Sequence, residues 1–380
     1  MSEYQYYEFQ ALDRPLTGRE MDALRSVSSR ATITATQFLN HYNWGDFKGD
    51  PSAWMEKYFD AFLYLANWGT REFRLRLPKG VLDLQSAKQY CYGEAASVRV
   101  KGDHVILKFL SQDEDGDWED DGSGWLSSLI PLRADLAEGD HRLLYLAWLL
   151  CVTAGELEDD ATEPPVPAGL GDLTAPLEAF ADFLRIDDDL ITVAAERSPK
   201  LGAPVSGQEL ERWIAALPDA TKTDWLVRLA GGKEVQLRAE MLRQFRESRP
   251  AKLQRDSESP RTVGELVAAA EQLAEERCRK EAKRAAAERA RREREAAEAR
   301  ERYLADLGQR EATAWRRVDE LIATKQPARY DEALTLLCDL RELALRRGST
   351  DEVERHLRRL CGEHAKKPTF MQRLRKAGLV

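Results

Sequence analysis

The stretch from Val263 to Ala323 constrains this chain more than any other, because its residues nearly dictate its local conformation. Its middle, Glu276 to Arg302, contains no Pro, Gly or β-branched residue. Ala, Glu, Arg and Lys, which fill it, are strong helix formers. Opposite charges recur four residues apart, acid first at Glu275/Arg279, Glu276/Lys280, Glu288/Arg292 and Glu298/Arg302. Each exposed pair of this kind contributes roughly 0.2–0.5 kcal/mol. If continuous to Ala323, the helix is about 90 Å long at about 1.5 Å per residue. An apolar seam exists at both ends, through Leu266, Ala270 and Leu273, and again through Leu304, Leu307, Val318, Leu321 and Ile322. From Arg277 to Arg302 only Cys278 and alanines are apolar, whereas a coiled coil needs sustained apolar positions over three or four heptads. A solvated helix whose two ends pack on something is therefore expected, with a helical hairpin or weak coiled-coil dimer as the alternative. Gly308 is a possible break.

A chain of 380 residues is long for one core, and its apolar content supports burial. Charge is unevenly spread. Residues 261–380 carry 28 Lys and Arg against 22 Asp and Glu, a net of +6, while residues 1–260 carry 29 against 44, a net of −15. An acidic body argues against general nucleic-acid binding by the first part. The basic side chains of the helix, Arg284, Arg291 and Arg292 among them, could contact phosphate, although acids interleave with them. The five cysteines are scattered and form no CxxC or CxC pair, so neither a zinc site nor a disulfide framework is expected. Met1 is followed by neither a basic nor an apolar leader segment, and the longest apolar run, Leu143 to Ala154, is too short to span a bilayer. A reducing cytoplasm and no membrane contact are the expectation.

Read in order, the pattern predicts an α+β N-terminal domain followed by a mostly α-helical region with one long charged helix. Tyr4–Leu12 and Ala31–Leu39 read as strands, and Thr17 with Glu20 forms a capping box for the helix between them. Ser52 is expected to cap a helix through Tyr58. Phe59–Asn67 pairs with Glu72–Leu77, and Ser97–Lys101 with His104–Ser111 across Gly102-Asp103, in a sheet with helices on one face. Trp125–Ala154 is helical. The expected division is a domain at 1–155 able to fold alone, a linker at 156–175, a small helical domain at 176–248, a linker at 249–262, the long helix at 263–323 and C-terminal helices at 329–380. Six of nine tryptophans, at 44, 54, 68, 118, 125 and 148, fall in the first domain and are expected in its core.

No constellation amounts to a catalytic signature, and no cofactor is implied. The segment 111–124 offers Asp117, Glu119, Asp121 and Gly122 in the frame of a calcium loop, but Ser128 stands where the bidentate Glu belongs. It reads better as an acidic hairpin tip that discourages edge pairing. The one place where a base, acids and aromatics coincide is Asn40–Pro51, with His41, Tyr42, Trp44, Asp46, Phe47 and Asp50. Those residues suit a recognition loop, a hydrolase or nuclease site, or a loop merely packed by its aromatics, with Trp44 in the core.

Three segments carry a resemblance: GDHRLLYLAWLL (139–150), LERWIAALPDATKTDWLVRLAGG (210–232), and a third that opens YDEALTLLCDLRELA at Tyr330 and closes HAKKPTFMQRLRKAGL at Leu379. Together they resemble an uncharacterised bacterial family. The last two are also similar to regions accompanying bacterial SWIM-type zinc-finger proteins. The resemblance implies an accessory role beside such proteins, which are often associated with Swi/Snf-type helicases. The SWIM metal pattern, CxC followed by CxH, is absent from this chain, so no zinc or DNA contact carried by that pattern is implied. The first expectation is a non-enzymatic interaction or scaffold protein with a protein partner. The alternatives are a hydrolase or metal-dependent activity in the N-terminal domain, and a nucleic-acid accessory acting through the basic part of the long helix.

Overall fold

The structure is a computed structural model that describes residues 4–113, 121–201, 207–231 and 260–379, together with 237, 240, 241, 244, 245 and 248. It divides into two compact units, Met1–Glu276 and Arg277–Val380.

The first unit is built on a seven-stranded sheet of order β2-β3-β1-β4-β5-β7-β6, every pair antiparallel. The strands are β1 (Gln5–Gln10), β2 (Thr32–Ile33), β3 (Gln37–Tyr42), β4 (Ala61–Ala66), β5 (Thr70–Pro78), β6 (Ala96–Lys101) and β7 (His104–Gln112). The run 31–39, read as one strand, is two strands joined by a tight turn in which the Thr34 N–H donates to the Gln37 carbonyl at 2.9 Å. Period-two alternation then divides the side chains between two faces. Leu63, Phe73, Leu75, Leu107 and Phe109 point to one face; Phe9, Phe38, Phe62 and Ile106 point to the other.

Helices cover both faces rather than one. The second face is covered by α1 (Gly18–Val27) and α2 (Pro51–Lys57). The capping box at Thr17 forms as expected: its hydroxyl accepts from the Glu20 N–H, and Glu20 accepts from the Thr17 N–H at 2.8 Å. For α2 the cap is Asp50 rather than Ser52, with Pro51 at the first helical position, where its missing N–H costs nothing. The first face is closed by α3 (Leu84–Tyr90), α4 (Trp125–Leu129), α5 (Pro131–Ala137), α6 (Arg142–Thr153), α7 (Ala175–Leu184) and α8 (Asp188–Glu196).

Residue 155 is not the edge of a core. Phe180 of α7 meets Phe109 of β7 edge-on, ring centroids 5.0 Å apart, and Leu170, Phe183, Leu190, Val263 and Leu266 join the same cluster as the sheet residues. The stretch at 156–175 and the end of the stretch at 249–262, both read as linkers, are tied together. Thr162 bridges Thr262, and the Glu163 N–H donates to the Arg261 carbonyl at 2.8 Å. Arg261 grips the Glu163 carboxylate through Nη2 at 2.7 Å and Nε at 3.0 Å, and the Tyr145 hydroxyl donates to the same carboxylate. Sequence patterns missed this buried cluster because each member looks like an ordinary polar loop or helix residue.

The long helix runs from Val263 to Gln309, 47 residues, capped by a Thr262/Glu265 box. It stops at Arg310, and a separate helix spans Glu311–Ala323. The interruption thus comes two residues after Gly308. A Cβ there would lie 2.0 Å from Arg347 Nη2, so glycine leaves room for that guanidinium. Within the second unit, Arg300 donates to Asp339 and Glu342 at 2.6 Å each, and Leu304 and Leu307 join a core with Trp315, Leu337, Leu360 and Phe370. Helices Pro327–Arg347, Thr350–His364 and Pro368–Lys376 complete that unit, in the segment read as C-terminal helices. No helix among the described residues is long and apolar enough to cross a membrane.

Candidate functional site

The residues singled out between Asn40 and Pro51 do not converge. His41 and Tyr42 are the last residues of β3, and alternation sends them to opposite faces. His41 stacks on Tyr4 at 6.4 Å, whereas Tyr42 meets Tyr7 edge-on at 5.7 Å. Asp46 lies on the Tyr7 side. Its carboxylate accepts from Gln5 Nε2 at 3.1 Å, and that same amide donates to the Gly45 carbonyl at 3.2 Å. The other end of Gln5 accepts from the hydroxyls of Tyr7 at 2.8 Å and Tyr64 at 3.2 Å. Burial pushes the Tyr7 hydroxyl up to about 12 and raises that of Tyr64 as well, with the Asp46 charge adding to both. Both remain protonated donors at neutral pH, so Asp46 serves a fixed hydrogen-bond chain. The acid–base pair that a hydrolase would need is not assembled here.

The remaining loop residues separate into anchors and one exception. Asp50 caps α2, accepting from the N–H groups of Ser52 at 2.8 Å and Ala53 at 3.2 Å. Phe47 enters the aromatic cluster, 4.9 Å from Tyr7 and 4.8 Å from Trp54 at right angles. Gly49 makes that possible, since a Cβ there would lie 2.5 Å from the Phe47 ring. Trp44, expected in the core, is 85 % exposed, while Trp54 is 7 % and Trp148 1 %. A loop secured at Asp46, Phe47 and Asp50 thus carries a bare indole. Aromatic spacing alone could not separate Trp44 from Phe47, because the burial partners of Phe47 come from three other elements.

The same sheet face holds a second feature. Beyond the edge of α2 lies a pocket of about 110 Å3 walled by Ser52, Glu56, Arg74, Ser97, Arg99 and Lys108, with Ile106 in its floor. Arg74 and Lys108 stand directly opposite each other on β5 and β7, and Ser97 of β6 opposes Lys108 from the other side. Like charges in such positions cost on the order of 0.2–1 kcal/mol. Arg74 is fixed: its Nε donates to Glu72, its Nη1 donates to Ser52 Oγ at 2.7 Å, and its guanidinium lies 5.4 Å from the centre of the Phe62 ring. Glu56 is engaged by Lys101 at 3.1 Å. In the sequence Arg74 and Arg76 alternate with Phe73, Leu75 and Leu77, which does not reveal which cations three strands bring together.

On the long helix, Arg292 pairs with Glu288 at 2.5 Å and Arg291 with Glu295 at 3.6 Å, so two of the three candidate phosphate contacts are already compensated; Arg284 is exposed. In the second unit a groove of about 580 Å3 runs past Trp315, which stacks on His356 at 4.3 Å, and past the ion pair of Arg359 with Asp319 at 3.0 Å. Among the described residues no three His, Cys, Asp or Glu side chains are grouped to hold a metal ion. The calcium-loop frame falls partly on 114–120, outside the described residues. Comparison with known proteins finds no family model, no curated protein and no solved structure that matches the chain.

Proposed function

We propose that this is a non-enzymatic interaction protein whose N-terminal unit engages a protein partner through Trp44. One observation carries the proposal: a large apolar side chain is left 85 % exposed on a loop that its neighbours hold in place. Tryptophan is enriched at the centres of protein interfaces, and a preset loop reduces the ordering cost of binding. The separation of His41 from Asp46 weighs against a hydrolytic role at this loop. The resemblance of 210–232 and 330–379 to regions beside SWIM-type zinc-finger proteins supports seeking the partner among such proteins and Swi/Snf-type helicases. Five free thiols favour a reducing cytoplasm as the compartment.

The test is quantitative affinity purification of the full chain from its native host, parent against Trp44→Ala. The expected result is a SWIM-type protein or helicase recovered with the parent and lost from the variant at unchanged melting temperature. An identical protein set for both chains would overturn the assignment of Trp44.

A further inference from the structure

We infer that Arg74, Lys108 and Arg99, with the hydroxyls of Ser52 and Ser97, form a site for a phosphate group on the part of the second sheet face that α1 and α2 leave uncovered. The placement of the charges is the first argument. Edge strands commonly carry cations that block pairing with other chains, and that accounts for Lys101 and for one role of Arg99 on β6. It does not account for Arg74 or Lys108, which lie on the interior strands β5 and β7 and face each other in register.

Unused donors are the second argument. Among the described residues no hydrogen bond or ion pair engages Arg74 Nη2, the Lys108 ammonium, the Arg99 guanidinium or the Ser97 hydroxyl. Ser52 accepts from Arg74 through Oγ, which leaves its own O–H to donate. The two acids nearby are committed, Glu72 to Arg74 and Glu56 to Lys101. Three cations and two hydroxyls therefore converge on a space of about 110 Å3 within a body of strongly negative net charge.

Ligand chemistry follows from that donor set. A carboxylate offers two oxygens and one charge. A phosphate offers up to four oxygens and nearly two charges, and planar guanidinium groups suit it well. The room admits the phosphate group itself, so any esterified remainder would extend outward past the exposed Arg99 on the edge strand.

The experiment is calorimetric titration of the full chain with inorganic phosphate, glycerol phosphate and acetate at constant ionic strength. The parent, the double variant Arg99→Gln/Lys108→Gln and the control Arg358→Gln are compared. Both phosphates are expected to bind the parent saturably at one equivalent and acetate far more weakly. The double variant should lose about tenfold or more in affinity while its melting temperature in phosphate-free buffer does not fall, because Lys108→Gln removes a repulsion; Arg358→Gln, at an exposed position paired with Glu354, should bind as the parent does. A tighter constant for glycerol phosphate assigns the site to esters, and equal constants assign it to free phosphate. Acetate binding as tightly as phosphate, a double variant equal to the parent, or no binding by the parent would each overturn the site.

Discussion

The two faces of the sheet come from the same strands, yet they are finished differently. Under α3 to α8 most inward positions are apolar, with Glu8 and Arg71 as polar exceptions, and Phe73, Phe109 and Phe180 close against one another. Under α1 and α2 only one end is apolar, where Phe9, Phe38, Phe62 and Trp54 gather. Apart from Ile106, the rest of that face is polar: Gln5, Tyr64, Glu72, Arg74 and Lys108 cross it from the Trp44 loop to the basic pocket. A fully covered face can only stabilise, whereas a partly covered one retains donors and charges that can meet a ligand. On the reading proposed above, the first face serves stability and the second recognition.

Breaking the closed face should have the largest effect. A fragment of residues 1–155 lacks Leu170, Phe180, Phe183 and Leu190 and so exposes Phe109 and its neighbours. It should show no cooperative thermal transition; a sharp transition would mean that the sheet and α3 to α6 suffice. In the full chain, Phe109→Ala should cost roughly 3–5 kcal/mol in urea unfolding, the range for a buried aromatic.

Asp60 tests the covered end of the second face. It is 1 % exposed, accepts from the N–H groups of Leu12 at 2.7 Å and Asp13 at 2.9 Å, and binds Arg76 at 2.7 Å. Burial by itself would raise its carboxyl, but the Asp13 N–H, the Arg76 charge and the Leu12 N–H outweigh burial and hold it below its ordinary 3.8. A carboxyl that titrates lower folded than unfolded contributes stability above the ordinary carboxylate range. That contribution disappears as pH falls through the folded value. Asp60→Asn should therefore cost about 3 kcal/mol at pH 7, leaving Arg76 buried without its counter-charge. The gap between variant and parent should narrow as the pH approaches 3. A pH-independent gap would show that packing rather than charge is lost.

Trp44→Ala should have the smallest effect on stability, within about 0.5 kcal/mol, as for other exposed positions. A loss as large as that of Phe109→Ala would place Trp44 with the core and erase the contrast between the two faces.

How much of this was legible depends on the distance over which each feature is encoded. The Thr17 box, the Gly102-Asp103 hairpin and the uninterrupted helix through Glu276–Arg302 use residues at most four apart, and each appears where the pattern put it. The cap of α2 was misplaced by two residues because Asp50 and Ser52 are both good caps, and Pro51 decides for Asp50 by fitting the first helical position. His41 and Asp46 lie five residues apart in sequence, but the strand end between them turns one to each face.

The sequence by itself determined the α+β class, the Thr17 capping box, the Gly102-Asp103 hairpin and a charged helix uninterrupted through Glu276–Arg302, because propensity and near-neighbour pairs suffice for these. Only the tertiary structure decided that α7, α8 and the start of the long helix share the core of the sheet, that Phe47 packs half-buried in the aromatic cluster while Trp44 is bare, and that Arg74, Lys108 and Arg99 converge. Those outcomes depend on which strands become neighbours and in what register. Such pairings join residues tens of positions apart, so no local pattern specifies them.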